Sequence, residues 1–93
     1  MMRQHRIDGF MPLDPATIAT HVAAGEKVTV QFGQSGYTDE KLAELNRLAK
    51  VHGRGFEIRF YGHYREEFDG AVLRRLPDAV CLSIDCLSHV RNL

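Results

Sequence analysis

Apolar side chains in this chain recur with two different periods, and the switches between them mark out its elements. KVTVQF alternates strictly, placing Val28, Val30 and Phe32 on one face of a strand at 28–32 and Thr29 and Gln31 on the other. FEIRFY repeats the pattern with Phe56, Ile58 and Phe60, and AVCLSID repeats it again with Val80, Leu82 and Ile84 inward. Between these strands the period lengthens to that of a helix. LDPATIATHVAAGE carries Asp14 as N-cap, Pro15 in the first turn and Gly25 past the end, so a short helix is predicted over about 15–24, with Ile18 and Val22 on its apolar stripe. Thr38 is placed to cap a second helix with Asp39 and Glu40 in its first turn, Leu42, Leu45 and Leu48 on one side and Gly53 at its end. FDGAVLRRLP predicts a shorter third helix stopped before Pro77.

Laid from Val28 and from Phe56, the segments VTVQFGQSGYTDEKLAELNRLA and FEIRFYGHYREEFDGAVLRRLP align without a gap. Val28, Val30 and Phe32 fall on Phe56, Ile58 and Phe60, while Ala43, Leu45 and Leu48 fall on Ala71, Leu73 and Leu76. A third copy begins at Val80, which sets periods of 28 and then 24 residues, the range expected of stacked strand-plus-helix units. Parallel strands joined by short helical connections cross over right-handedly and add to the sheet in sequence order. Alternation along every strand leaves one sheet face polar and uncovered, unlike the continuous apolar strands of a doubly wound sheet. The expected fold class is therefore α/β: a one-sided parallel β-sheet with helices on one face, in the order α-β-α-β-α-β. One domain is expected, comprising an N-terminal segment and capping helix at 1–25 and β/α repeats at 26–93, the third of them incomplete.

PDAVCLSIDCL resembles the leucine-rich-repeat consensus L-x-x-L-x-L-x-x-N/C-x-L, with Val80, Leu82 and Leu87 at apolar positions and Asp85 where that family has asparagine. LRRLP is similar to the end of a typical repeat; Pro77 stands in place of the first leucine, and Gly33 and Tyr61 occupy the asparagine position of the earlier copies. The resemblance is strongest over 56–93. It implies the N-terminal cap and first repeats of a bacterial-type leucine-rich-repeat solenoid, whose sheet face binds other proteins. The third strand has no complete helix behind it, so the chain is read as a piece of a longer solenoid or as one whose raw edge is covered by a partner or a second copy.

Composition narrows the function classes. Twelve basic and twelve acidic side chains leave no net charge, and no stretch is basic enough to follow a phosphate backbone, which argues against nucleic acid. No apolar run approaches the roughly 18 residues of a membrane span, and the N-terminus MMRQHRIDGF lacks the apolar core of a signal peptide. No membrane partner is expected, and the location expected is cytoplasmic. Cys81 and Cys86 lie an odd number of residues apart, a spacing unsuited to bridging along one strand, and they are read as free thiols.

The polar strand positions Thr29, Gln31, Glu57, Arg59, Tyr61, Cys81, Ser83 and Asp85 should form a grid on the open, concave face. Arg59 and Tyr61, types enriched at binding hot spots, should stand at its centre, with Glu57 or Asp85 holding the arginine. The loop YGHYREE adds His63, Tyr64 and Arg65 as a second candidate contact. Ser83 or Cys81 with His63 and Asp85 has the makings of a triad, but neither a nucleophile elbow nor an oxyanion turn accompanies it. His5, His21, His52, His63 and His89 share no metal-ligand spacing, and GQSG and GRG lack the lysine of a phosphate loop, so no enzyme, metal or cofactor is expected. The leading expectation is a non-enzymatic protein-protein interaction module. The alternative is a small regulator or immunity-type inhibitor that neutralises a toxin or enzyme by direct binding; a phosphorylation-regulated antagonist domain, also β-α-β-α-β, ranks third because no serine begins a helix in a distinctive motif.

Overall fold

The computed structural model describes residues 3–63, 66–87 and 89–92. Its strands are β1 Gln4–Asp8, β2 Lys27–Phe32, β3 Phe56–Tyr61, β4 Phe68–Asp69, β5 Cys81–Asp85 and β6 Val90–Arg91; its helices are α1 Pro15–Ala23 and α2 Asp39–His52. Four strands form one parallel sheet in the order β1-β2-β3-β5, and β4 pairs with β6, also in parallel, in a small second sheet. The chain is α/β with helices returning over one side of the main sheet: α1 packs on β2, α2 on β3, and the helices touch each other.

The helix starts follow their caps. Asp14 accepts the Ala16 N–H at 3.1 Å and the Thr17 hydroxyl at 2.7 Å, with Pro15 in the first turn of α1. Thr38 accepts the Lys41 N–H at 3.1 Å, and Asp39 and Glu40 stand at the positive end of the α2 dipole. Leu42, Leu45, Leu48 and Ala49 turn inward from α2, Ile18 from α1, and they meet Val28, Val30, Phe32, Phe56, Ile58 and Phe60 from the sheet. Phe32 and Phe60 stack with ring centroids 5.6 Å apart, and Phe68 closes on Phe60 at 5.2 Å.

The register reproduces the internal repeat. Val28 faces Phe56, Val30 faces Ile58 and Phe32 faces Phe60, and one strand further Ile58 faces Leu82 and Phe60 faces Ile84. A further strand precedes the two repeats: β1 lies beside β2 with Ile7 opposite Val30, in a segment the hydrophobic pattern left unassigned. QHRID offers a single aliphatic residue to the alternation, and His5 and Ile7 are its half-buried positions.

Two expectations are corrected. The third helix is a six-residue 3-10 helix, Gly70–Arg75, capped by Asp69 through the Ala71 N–H at 3.0 Å and preceded by β4. The register step from β3 to β5 is four residues shorter than that from β2 to β3, and a 3-10 helix covers more length per residue, about 2.0 Å against 1.5 Å. Leu76 is buried as its alignment with Leu48 requires, but Leu73, the counterpart of the buried Leu45, is only half-buried. At the last strand of the main sheet, Val80, just before β5, and Leu82 and Ile84, within it, are 59%, 39% and 37% exposed rather than inward, because none of the described elements covers the apolar side of β5.

A candidate binding face on the open side of the sheet

Alternation sends every second side chain of the main sheet away from the helices, and the parallel register lines these residues up in rows. Arg6, Thr29, Glu57 and Cys81 form one row across β1, β2, β3 and β5; Asp8, Gln31, Arg59 and Ser83 form the next; Tyr61 and Asp85 continue it at the carboxyl ends of β3 and β5. All eight residues expected on this face, Thr29, Gln31, Glu57, Arg59, Tyr61, Cys81, Ser83 and Asp85, stand together there.

They are tied into two networks, one around Glu57 and one around Arg59, rather than left as separate solvated groups. Glu57 accepts the Thr29 hydroxyl at 3.0 Å through one oxygen and the Ser83 hydroxyl at 2.7 Å through the other, with the Lys27 ammonium 3.8 Å away. Arg59 donates two parallel bonds to Asp85, Nε to Oδ2 at 3.0 Å and Nη2 to Oδ1 at 2.8 Å, and a third from Nη1 to the Gln31 side-chain carbonyl at 3.0 Å. The same guanidinium lies 4.5 Å from the centre of the Tyr61 ring, within cation-π range. Hydrogen bonding to Arg59 and its charge hold the Asp85 carboxyl below the usual carboxylate range, and Asp85 in turn raises the guanidinium's hold on its proton. A planar fork fixed on both sides is already in one conformation, so little side-chain entropy remains to be lost when something docks on it.

Tyr61 is positioned by the absence of a neighbouring side chain. A Cβ at Gly33, in the adjacent strand's extension, would stand 3.0 Å from the Tyr61 ring, so any larger residue there would push the ring aside by a few tenths of an ångström. At Gly9, just after β1, a Cβ would meet the Phe32 ring at 2.2 Å; this close approach draws the β1 turn down onto the core and sets Phe10 beside β2. The Gly9 N–H donates to the Gln31 carbonyl at 2.8 Å, extending the pairing past β1. Asp8, Phe10, Gln31, Gly33, Gln34 and Tyr61 together line a half-open hollow of about 390 Å³ at the carboxyl ends of β1, β2 and β3.

His63 does not belong to this surface. It is 1% exposed, at a φ of 53°, with its N–H donating to the Gly33 carbonyl at 3.0 Å. Its Nδ1 lies 2.8 Å from the Tyr61 carbonyl, which can only accept, so the proton sits on Nδ1; in the neutral ring Nε2 then accepts from the Tyr37 hydroxyl at 3.3 Å. Burial, with the charges of Glu66 and Asp69 adding to it, pushes the Tyr37 hydroxyl up to about 12, which keeps it a donor. His63 thus packs inward against Tyr37 and Phe68, while Ser83 is engaged by Glu57 and Asp85 by Arg59, and the triad drawn from Ser83 or Cys81 with His63 and Asp85 does not assemble. Tyr64 and Arg65 of the same loop lie outside the described residues.

Asp8, Phe10 and Gln34 are the members that reading the sequence missed. Asp8 and Phe10 depend on β1, and the signal for it was the alternation of His5 and Ile7 followed by an Asp-Gly turn, whereas Gln34 lies in the turn just after β2. Cys81 and Cys86 are both free thiols. Among the described residues no group of three His, Cys, Asp or Glu side chains is arranged to hold a metal ion, and no helix is long and apolar enough to cross a membrane. Comparison of the chain with models of protein families, with curated proteins and with solved structures returns no match.

Proposed function

We propose that the open polar face of the main sheet is the working surface of a non-enzymatic protein-binding module, and that the strand-plus-return units are the start of a leucine-rich-repeat-like solenoid. The observation that carries the reading is the Arg59 fork. An arginine and an aromatic stand on an inner strand, clamped by Asp85 and Gln31, in the middle of a sheet face that the helices leave uncovered. Open α/β sheets more often bind ligands in the crevice where strand order reverses; here the order β1-β2-β3-β5 never reverses, so the face rather than such a crevice is the available surface. The uncovered apolar side of β5 supports the solenoid reading, since a further unit in the same register would bury Leu82 and Ile84 as β3 buries Val28 and Val30. Two unbridged thiols accord with work in the reducing cytoplasm.

A photo-reactive side chain in place of Ser83, on the open face, should form an adduct with the partner in the source cell. The same group in place of Val51, exposed on the outer end of α2, should not. Adducts from Val51 alone would move the working surface to the helices.

A further inference from the structure

Three carboxylates stand on the open face, and two are already matched by cations. Glu57 has Lys27, and Asp85 has Arg59. Asp8, at the end of β1, accepts the Phe10 N–H through Oδ1 at 3.0 Å and has no cationic partner among the described residues. It lines the hollow of about 390 Å³ together with Phe10, Gln31, Gly33, Gln34 and Tyr61.

We propose that this hollow receives a lysine or arginine side chain of the protein that docks on the open face, with the cationic head on the Asp8 carboxylate. The proposal rests on that face being the working surface and names the chemistry the surface selects. An anionic group would meet the unmatched carboxylate at close quarters, and an apolar group would strip water from it without replacing the lost bonds. A long basic side chain satisfies both ends of the site. Its methylene stem lies against Phe10, which is 39% exposed, while the head makes a charge-assisted bond to Asp8. The Gln31 side-chain carbonyl is taken by Arg59, so its amide N–H groups, the Gln34 side chain and the Tyr61 hydroxyl are neutral polar groups left to meet the partner's backbone.

The probe is Nα-acetyl-lysine methylamide, titrated into the ¹⁵N-labelled chain, with the norleucine analogue as its uncharged counterpart. The lysine compound should produce saturable shifts at the backbone amides of Phe10, Gly33 and Gln34, and the norleucine compound should not. Asp8→Asn keeps an acceptor for the Phe10 N–H while removing the charge, so the rest of the spectrum should be preserved. In that variant the lysine compound should bind about ten-fold more weakly, the difference between a charge-assisted and a neutral hydrogen bond. Equal shifts from both compounds, no saturable shift from either, or an unchanged affinity in Asp8→Asn would each overturn the proposal. Failure here leaves the Ser83 adduct standing if the open face binds by other groups; loss of the Ser83 adduct with the lysine shifts intact would instead remove the open face as the partner's site.

Discussion

Tyr37 is packed against Phe32 and Phe60, with ring centroids 5.2 and 5.4 Å away, and its hydroxyl reaches the His63 ring. Its hydroxyl is pushed up to about 12 by burial, with Glu66 and Asp69 adding to the effect. The folded chain therefore keeps, between about pH 10 and 12, a proton that the unfolded chain has lost. The resulting stability is complete below the unfolded value and is lost as pH rises toward about 12. Ultraviolet titration should show one tyrosine ionising near 12, and Tyr37→Phe should remove that late step; all tyrosines titrating together near 10 would contradict this packing. Leu45 and Leu73 provide a second comparison at this scale. Leu45 is fully buried in α2, so Leu45→Ala should cost about 2 to 4 kcal/mol in chemical denaturation. Leu73 sits half-buried on the 3-10 helix, so Leu73→Ala should cost distinctly less, although the two residues occupy the same place in the repeat.

At the scale of elements, what the sequence made legible was what is carried by strong periodicity and by caps. Strict alternation in KVTVQF and FEIRFY fixed β2 and β3 and their register, and Asp14 and Thr38 marked the starts of α1 and α2. β1 escaped because its inward residues are a histidine and one isoleucine, so its strand character comes from pairing with β2 rather than from local pattern. The same loss hid two of the six residues that line the hollow, since Asp8 and Phe10 are placed by β1 and by the close approach of Gly9 to Phe32. His63 looked like a surface residue because a loop with tyrosines and acids around it is usually exposed; the cavity between Tyr37 and Phe68 that holds it is made by tertiary packing. β5 carries the element-scale prediction. Its inversion, with Leu82 and Ile84 more open to water than Ser83 and Asp85, leaves an edge strand with an apolar flank. The chain on its own should self-associate through that edge in sedimentation velocity, and Ile84→Lys, which puts a charge on the apolar flank, should return it to monomer. A wild-type chain that stays monomeric at high micromolar concentration would count against it.

For the whole molecule, charge and topology act together. Four parallel strands in sequence order put both helices on one side, and the charges displaced to the other side balance overall, Lys27 pairing with Glu57 and Arg59 with Asp85 while Arg6 offsets Asp8, which leaves a surface with little net charge. Such a face is suited to selecting a partner by shape and by a few fixed groups rather than by long-range attraction, so its association should depend only weakly on salt. Arg59 and Tyr61 lie on an inner strand, where neighbouring strands shield them from the rim, and a contact made through this face would desolvate them most completely. The most direct measurement is the affinity of the purified partner recovered from the Ser83 adduct, taken for the wild-type chain, for Arg59→Ala with Tyr61→Ala, and for Arg47→Ala with Arg74→Ala. Binding should weaken by about 2 kcal/mol or more, roughly thirty-fold, in the open-face pair. It should stay near wild type in the second pair, whose side chains are exposed on α2 and the 3-10 helix. An open-face pair that binds as the wild type does, with its fold intact by circular dichroism, would contradict the assignment of the polar sheet face as the binding surface.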